Sequence, residues 1–271
     1  MGSAPQGSKY LWFDADTLIY LAAITECKFD LPFECADLVL KNAMTRFQEV
    51  AEQQIGHPVV VLPCLSSSPT FRHQLEPSYK ANRIGKWRPP LLPLYTDVFK
   101  ELYPCLVVDN YEADDIVGIL HSQIPGHILC SGDKDLQQFA GLLYNPRTLE
   151  FKNITLTDAL RFRLFQWIKG DTADGYGGCA GIGDVKAGRL VDSHIDSILK
   201  GFLEPVVSDI LELYAIQNSK EVAKEREPRD PIINFQMSQI LYKPNTNISD
   251  PVLFLQDWRE ATLASQPSTT G

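Results

Sequence analysis

Apolar residues along the chain fall into short blocks with two different spacings. Residues 10–13 form an unbroken apolar-aromatic run closed by Asp14, and residues 58–62 (PVVVL) are β-branched and opened by proline. Both patterns predict strands buried on two faces. Residues 106–108, 127–130 and 142–144 predict three more. Between them, residues 17–25 and 114–123 read as helices. Residues 37–54 place Leu38, Phe47 and Val50 at helical spacing with charges between them. Strands alternating with helices predict an α/β fold, a mostly parallel central sheet with helices on both faces. Ligands of such sheets bind at the carboxyl ends of the strands. Asp14 and Asp133 each follow the last apolar residues of a predicted strand.

The second half changes character. Residues 157–170 carry Leu160, Leu164, Phe165 and Ile168 at helical spacing, and residues 171–183 then hold five glycines. Helical residues resume at 184–191. Residues 219–231 (SKEVAKEREPRDP) predict a solvated loop, and 235–242 a short helix or strand. The first eight residues read as a flexible leader, and 266–271 as a polar tail without order.

Hydrophobic residues make up 44% of the 271 and charged ones 22%, which excludes a disordered or collagen-like chain. No apolar run approaches the ~18 residues of a spanning helix, and no secretory signal opens the sequence, so a cytoplasmic protein is expected. Six cysteines lie at 27, 35, 64, 105, 130 and 179 without metal-site spacing, as in a thiol-containing intracellular protein. The net charge is −9. Nine of the 34 acids lie in four short clusters: Asp14 and Asp16; Glu112, Asp114 and Asp115; Asp133 and Asp135; Asp171 and Asp174. Without them, acids and bases balance at 25 each, so the acidity is local, as a cation site requires.

Each cluster has a simpler reading when taken alone. Acids favour a helix N-terminus, which accounts for one or two of Glu112, Asp114 and Asp115; Asp16 reads as a helix cap, and Asp171 as an Asx-turn. Three acids in four residues nevertheless repel one another unless a cation offsets them. Asp133 and Asp135 project to one side of an extended segment. Four such clusters in one α/β chain point to hard divalent cations with oxygen ligands, and so to phosphoryl chemistry. There is no Walker loop and no dinucleotide-binding glycine pattern after a strand.

Residues 79–88 hold Lys80, Arg83, Lys86 and Arg88 with Tyr79 and Trp87. An exposed basic loop is the simpler account; a phosphate clamp with stacking faces for unpaired bases is the functional one. Gly178, Gly181 and Gly183, followed by Lys186 and Arg189, would expose backbone amides at a helix start and grip a phosphate backbone without reading sequence.

The segments YKANR (79–83), EADDIVG (112–118), SGDKDLQQ (131–138) and KGDTADGYGGCAGIGDVKAGRL (169–190) resemble, in order, the motifs of the 5′-nuclease or flap endonuclease superfamily. The 5′–3′ exonucleases of short-tailed bacteriophages are the most similar members, particularly at FRHQLEPSYKANR and FQWIKGDTADGY. The resemblance implies an α/β core over about residues 10–150, with a helical arch at about 72–95. A helical region at 151–265 would include a helix–three-turn–helix DNA-binding element at about 165–192. It also implies Mg²⁺-dependent cleavage of duplex DNA, and of RNA in RNA–DNA hybrids, from 5′ ends during DNA replication, by a monomer. Two ions are expected, with Mn²⁺ able to substitute.

Matched motif by motif, Asp14, Glu112, Asp114 and Asp115 are expected to form the inner metal set. Asp133 and Asp135 bridge, and Asp171 and Asp174 hold the second ion. Lys80 and Arg83 contact the scissile phosphate. Tyr79, Lys86, Arg88, Gly181, Gly183, Lys186 and Arg189 contact DNA, and a K⁺ sits on backbone carbonyls of the glycine turns.

One departure stands out. Where the family carries an acid before FR, this chain reads CLSSSPTFR, with Ser67 at the aligned position and Ser66 and Ser68 beside it, all uncharged. The leading expectation is a 5′–3′ exonuclease releasing mono- or short oligonucleotides. The alternatives are a structure-specific 5′ flap endonuclease and a catalytically weak DNA-binding relative.

Overall fold

Residues 7–29, 35–124 and 126–265 are described by a computed structural model; the tail expectation at 266–271 lies outside them, as does most of the leader. The central sheet has six strands in the order β3-β2-β1-β4-β5-β6. They are β1 (Lys9–Asp14), β2 (Val59–Leu65), β3 (Leu106–Val107), β4 (Ile128–Cys130), β5 (Gly141–Asn145) and β6 (Glu150–Ile154). All neighbours pair in parallel except β5 and β6. β1 is central because it can be buried on both faces. Trp12 packs into one core while Leu11 and Phe13 pack into the other, the alternation of a pleated strand. Strand order reverses between β1 and β4, which creates a crevice at the carboxyl ends where α/β proteins bind ligands.

On one face lie α1 (Asp16–Phe29), α2 (Ala36–Ile55) and α4 (Leu92–Leu102). The buried stripe of α2 is Leu40, Met44, Phe47 and Ala51. Of the positions expected to mark it, Phe47 is buried and Val50 partly so, but Leu38 is 54% exposed on the outer side. Prolines 89, 90 and 93 conceal α4 in the sequence. Pro93 stands in its first turn, where a missing N–H costs nothing, and Tyr95 and Phe99 bury the helix. Two short pieces precede it: α3 (Phe71–Leu75) and a 3₁₀ turn (Ala81–Arg83).

The other face carries α5 (Ala113–Gln123) and a helical layer built on α6 (Leu156–Lys169). A two-strand ribbon, β7 (Gly170–Asp171) with β8 (Tyr176–Gly177), connects α6 to α7 (Asp184–Ser193). Gly170 has φ +71°, and a Cβ there would lie 2.0 Å from the Gly178 nitrogen, so no other residue permits this approach. Helices α8 (Ile195–Lys200), α9 (Glu204–Val222), α10 (Pro231–Ser238) and α11 (Pro251–Ser265) complete the layer.

The segment expected as a loop at 219–231 begins inside α9 and is exposed from residue 222 to 230. The 235–242 segment divides. It is helical through Ser238 because the Asp230 side chain caps α10 at Ile232 N, 2.7 Å away; it then continues buried to Tyr242 without regular structure. Cys64, Cys130 and Cys179 are buried, the other three cysteines partly so, and all six are free. Among the described residues, no helix is long and apolar enough to cross a membrane.

Candidate active site

The floor of the crevice is made where β1 and β4 end. Asp14, the last residue of β1, is buried, and its Oδ2 accepts from Ser131 Oγ at 2.8 Å. The same Ser131 oxygen accepts from Asp133 N at 2.9 Å. One hydroxyl therefore places the strand-end acid of β1 against the loop after β4. Asp133 caps a 3₁₀ turn (Lys134–Gln138) by accepting from Asp135 N, and Gln166 of α6 holds Asp135 Oδ1 at 2.6 Å. Asp16 opens α1, and its Oδ2 accepts from Ser66 N at 3.2 Å.

The second wall is the start of α5. Glu112 is its N-cap, forming a reciprocal capping box with Asp115. Glu112, Asp114 and Asp115 each offer an oxygen within 4.8 Å of the others. Arg72, buried in α3, reaches Glu112 Oε2 at 2.8 Å and grips Asp115 through two nitrogens, at 2.7 and 3.0 Å. Among the described residues, the one hydrogen bond to the Asp114 carboxylate comes from Asp115 N.

The third wall joins the 79–83 loop to the turn after β7. Lys80 adopts a left-handed backbone (φ +56°), and its N–H donates to Asp174 O at 2.8 Å. Asn82 Nδ2 donates to Thr172 O at 2.7 Å. These bonds bring the Lys80 ammonium against Glu112 and 3.7 Å from Asp174, and pair Arg83 with Asp174. Tyr79 OH lies 2.9 Å from Glu112 and 3.1 Å from Asp174. Lys134 pairs with Asp171 at 2.6 Å.

The acids are held in different states. Burial, with the nearby Asp16 and Asp133 charges, pushes Asp14 up to about 7. Burial and Asp133 do the same to Asp135. Asp114 lies well above the usual carboxylate range, from burial and its two acidic neighbours. Glu112 runs the other way: burial alone would raise it, but Arg72 and Lys80 hold it down to about 2. A crowd of desolvated carboxylates, partly short of counter-charge, is an oxygen-donor set suited to a hard divalent cation.

The structure therefore gathers Asp14, Glu112, Asp114, Asp133 and Asp135 around one crevice, and ties Asp171 and Asp174 to its rim through Lys134, Lys80 and Arg83. One expected role needs correction. Tyr79 is 4% exposed and leaves no face for a base; Trp87 is the exposed aromatic of that run. Asp115 is 0% exposed, and Arg72 holds both of its carboxylate oxygens.

The serines at 66–68 supply no carboxylate. Ser67 Oγ donates to Tyr111 O at 3.2 Å, and Ser66 Oγ accepts from Ala113 N at 2.9 Å, so they shape the floor through hydrogen bonds. Lys86 and Arg88 are exposed on the stretch between the 3₁₀ turn and α4. Gly181, Gly183, Lys186 and Arg189 are exposed at and around the start of α7, which Gly183 caps. The Gly178 carbonyl, in the turns expected to hold K⁺, accepts from the Arg229 guanidinium. Sequence reasoning missed Arg72, Ser131, Gln166 and Lys134, whose partners come from distant segments.

The family model for the 5′-3′ exonuclease N-terminal resolvase-like domain matches residues 36–157. An exodeoxyribonuclease of Enterobacteria phage T3 is 28% identical over 214 residues, covering 70% of each chain. An exonuclease of Escherichia phage T7 is 28% identical over 194 residues, covering 64% of each. A 5′-3′ exonuclease of Streptomyces coelicolor is 28% identical over 166 residues, covering 49% of this chain and 55% of its own length. Among solved structures, the 5′-exonuclease of phage T5 with bound zinc shares the fold at a TM-score of 0.59 and 16% identity. That match covers 95% of this chain and 99% of the T5 chain. A phage T5 flap endonuclease in a complex with DNA and metal ions gives 0.51 and 16% identity, over 94% and 99%.

Proposed function

We propose that the chain is a member of the 5′-nuclease superfamily and acts as a divalent-metal-dependent 5′–3′ exonuclease on duplex DNA. The observation that carries this reading is the meeting of two opposed features in one crevice. Desolvated carboxylates line the floor, and a loop with Lys80 and Arg83 is bolted over them through Asp174.

Asp14, Glu112, Asp114, Asp133 and Asp135 would hold one ion, and Asp171 and Asp174 the second. When bound, the ions neutralise charge at the scissile phosphate and lower the pKa of a water nucleophile. Lys80 and Arg83 bind the same phosphate and stabilise the charge that develops on it. Their present partners, Glu112 and Asp174, pre-position them at the rim. Lys86 and Arg88 extend the cationic track away from the crevice, and Trp87 offers a face on which an unpaired base stacks. The start of α7 holds the duplex by its backbone, through amides near Gly181 and Gly183 and through Lys186 and Arg189.

Mg²⁺ is the resident ion in this reading, with Mn²⁺ able to replace it. A monomer is part of the same reading. Phosphate-directed contacts also suit an RNA strand in an RNA–DNA hybrid.

The test is digestion of a 5′-labelled duplex and of a matching 5′-flap substrate with Mg²⁺, Mn²⁺ or EDTA, reading product lengths on a gel. Mono- or short oligonucleotides released from the plain duplex are expected. Cutting confined to the flap junction would move the assignment to a flap endonuclease. Binding without cleavage in any metal would make it a DNA-binding relative.

A further inference from the structure

Within the reading of this crevice as an ion site, we propose that Asp115 is a positioning residue and not an ion ligand. Through it, Arg72 locks the start of α5 to the buried segment that follows α10.

Distance does not separate Asp115 from Asp114, since both lie within 4.8 Å of Glu112. Occupancy does. A carboxylate has about four acceptor positions, and at Asp115 all are taken. Oδ2 accepts from Arg72 Nη1 at 2.7 Å and from Glu112 N at 3.2 Å; Oδ1 accepts from Arg72 Nη2 at 3.0 Å and from Leu241 N at 3.1 Å. Its exposure is 0%. An ion could reach it only by displacing a buried guanidinium and two backbone amides. Among the described residues, Asp114 accepts a single hydrogen bond, which leaves the rest of its carboxylate open to a cation.

Arg72 is equally saturated. Its five N–H groups go to Asp115 twice, to Glu112, to Met237 O at 3.3 Å and to Gln239 O at 2.8 Å. A lysine has the charge but not the fork. The segment it holds is stitched on the other side as well. Gln138 Nε2 donates to Ser238 O at 2.8 Å, Ile240 N donates to Gln138 Oε1 at 3.0 Å, and Arg163 donates to Gln239 Oε1 at 3.0 Å. Gln138 ends the 3₁₀ turn that carries Asp135. The chain from Met237 to Leu241 therefore bears on both acid-bearing elements, and Arg72 joins it to α3, a few residues ahead of Lys80.

The experiment counts Mn²⁺ ions bound to the full-length chain by electron paramagnetic resonance, for wild type, Asp114→Asn, Asp115→Asn and Arg72→Lys, with thermal melts in EDTA. Asp114→Asn should lose an ion. Asp115→Asn should bind as many ions as wild type with affinity reduced about tenfold, the effect of disturbing a group that orients ligands, and should melt earlier. Arg72→Lys should reproduce the Asp115→Asn pattern despite its retained charge. An Asp115→Asn chain that loses an ion as Asp114→Asn does would overturn the proposal. Should Asp115→Asn fail to fold, Arg72→Met/Asp115→Leu removes both charges together and must still bind the wild-type number of ions; a lost ion there also overturns it. A wild-type chain that binds no Mn²⁺ contradicts the ion-site reading itself.

Discussion

Ser131 Oγ donates to Asp14 Oδ2 at 2.8 Å, bridging the carboxyl ends of the two parallel strands between which the sheet reverses its order. The bond favours the charged form of an acid that burial pushes up to about 7. Ser131→Ala should therefore raise the Asp14 pKa further and free the Asp133 amide. The expected outcome is weaker Mn²⁺ binding at pH 7 that recovers at pH 8.5. Equal loss at both pH values would contradict this role.

Asp14 and Asp135, both raised to about 7, also set a pH window. Ion binding requires the deprotonated carboxylate, so Mn²⁺ affinity should climb through pH 7 and level off above it. Folding follows the opposite sign. From about pH 4 to 7 the folded chain holds protons that the unfolded chain releases, so these two groups lower stability as pH rises through that interval. Glu112, depressed to about 2, gains its stability below that window. In EDTA, Asp14→Asn should flatten the fall in melting temperature between pH 4.5 and 7; an unchanged slope would remove Asp14 from the account.

Lys80 contacts Glu112 and lies 3.7 Å from Asp174, while Arg83 pairs with Asp174. Replacing Lys80 by Met should lower kcat by about 10²–10³-fold, as the loss of one charge-stabilising donor does. Duplex binding measured in Ca²⁺ should change much less. A variant with wild-type kcat would exclude Lys80 from the reaction.

Trp87 is 63% exposed, whereas Trp12, Trp167 and Trp258 are at most 2% exposed. Quenching of tryptophan fluorescence by single-stranded DNA should therefore report Trp87 alone and vanish in Trp87→Phe. Quenching that survives the substitution would place base contact elsewhere.

Lys186 is exposed in the first turn of α7. Lys186→Ala should weaken duplex binding alike across sequences and reduce the slope of log affinity against log salt by about 1. An unchanged slope would remove it from the phosphate contacts.

The sheet and its acid-bearing strand ends were legible because each depends on a local pattern: a run of apolar residues, then Asp14 or Asp133. The α4 helix was hidden because Pro93 reads as a breaker, yet serves a first turn. The β6 strand was hidden because most of its side chains face solvent at a sheet edge. At the site, residue type and spacing marked the carboxylates but not their state. Asp114 and Asp115 look alike in sequence. They part only because Arg72 and the Leu241 amide arrive from elsewhere in the chain. Tyr79 read as a stacking face because the sequence shows an aromatic among cations, without showing that its hydroxyl reaches down to Glu112 and Asp174.

Metal-dependent catalysis by this crevice is tested by digesting a 5′-labelled duplex with wild type and Asp114→Asn in parallel, with Mg²⁺ and with EDTA, alongside duplex binding in Ca²⁺. Wild type should cleave in Mg²⁺ only, and Asp114→Asn should not cleave although the variant still binds DNA. Cleavage by wild type in EDTA, or wild-type turnover by Asp114→Asn, would contradict it.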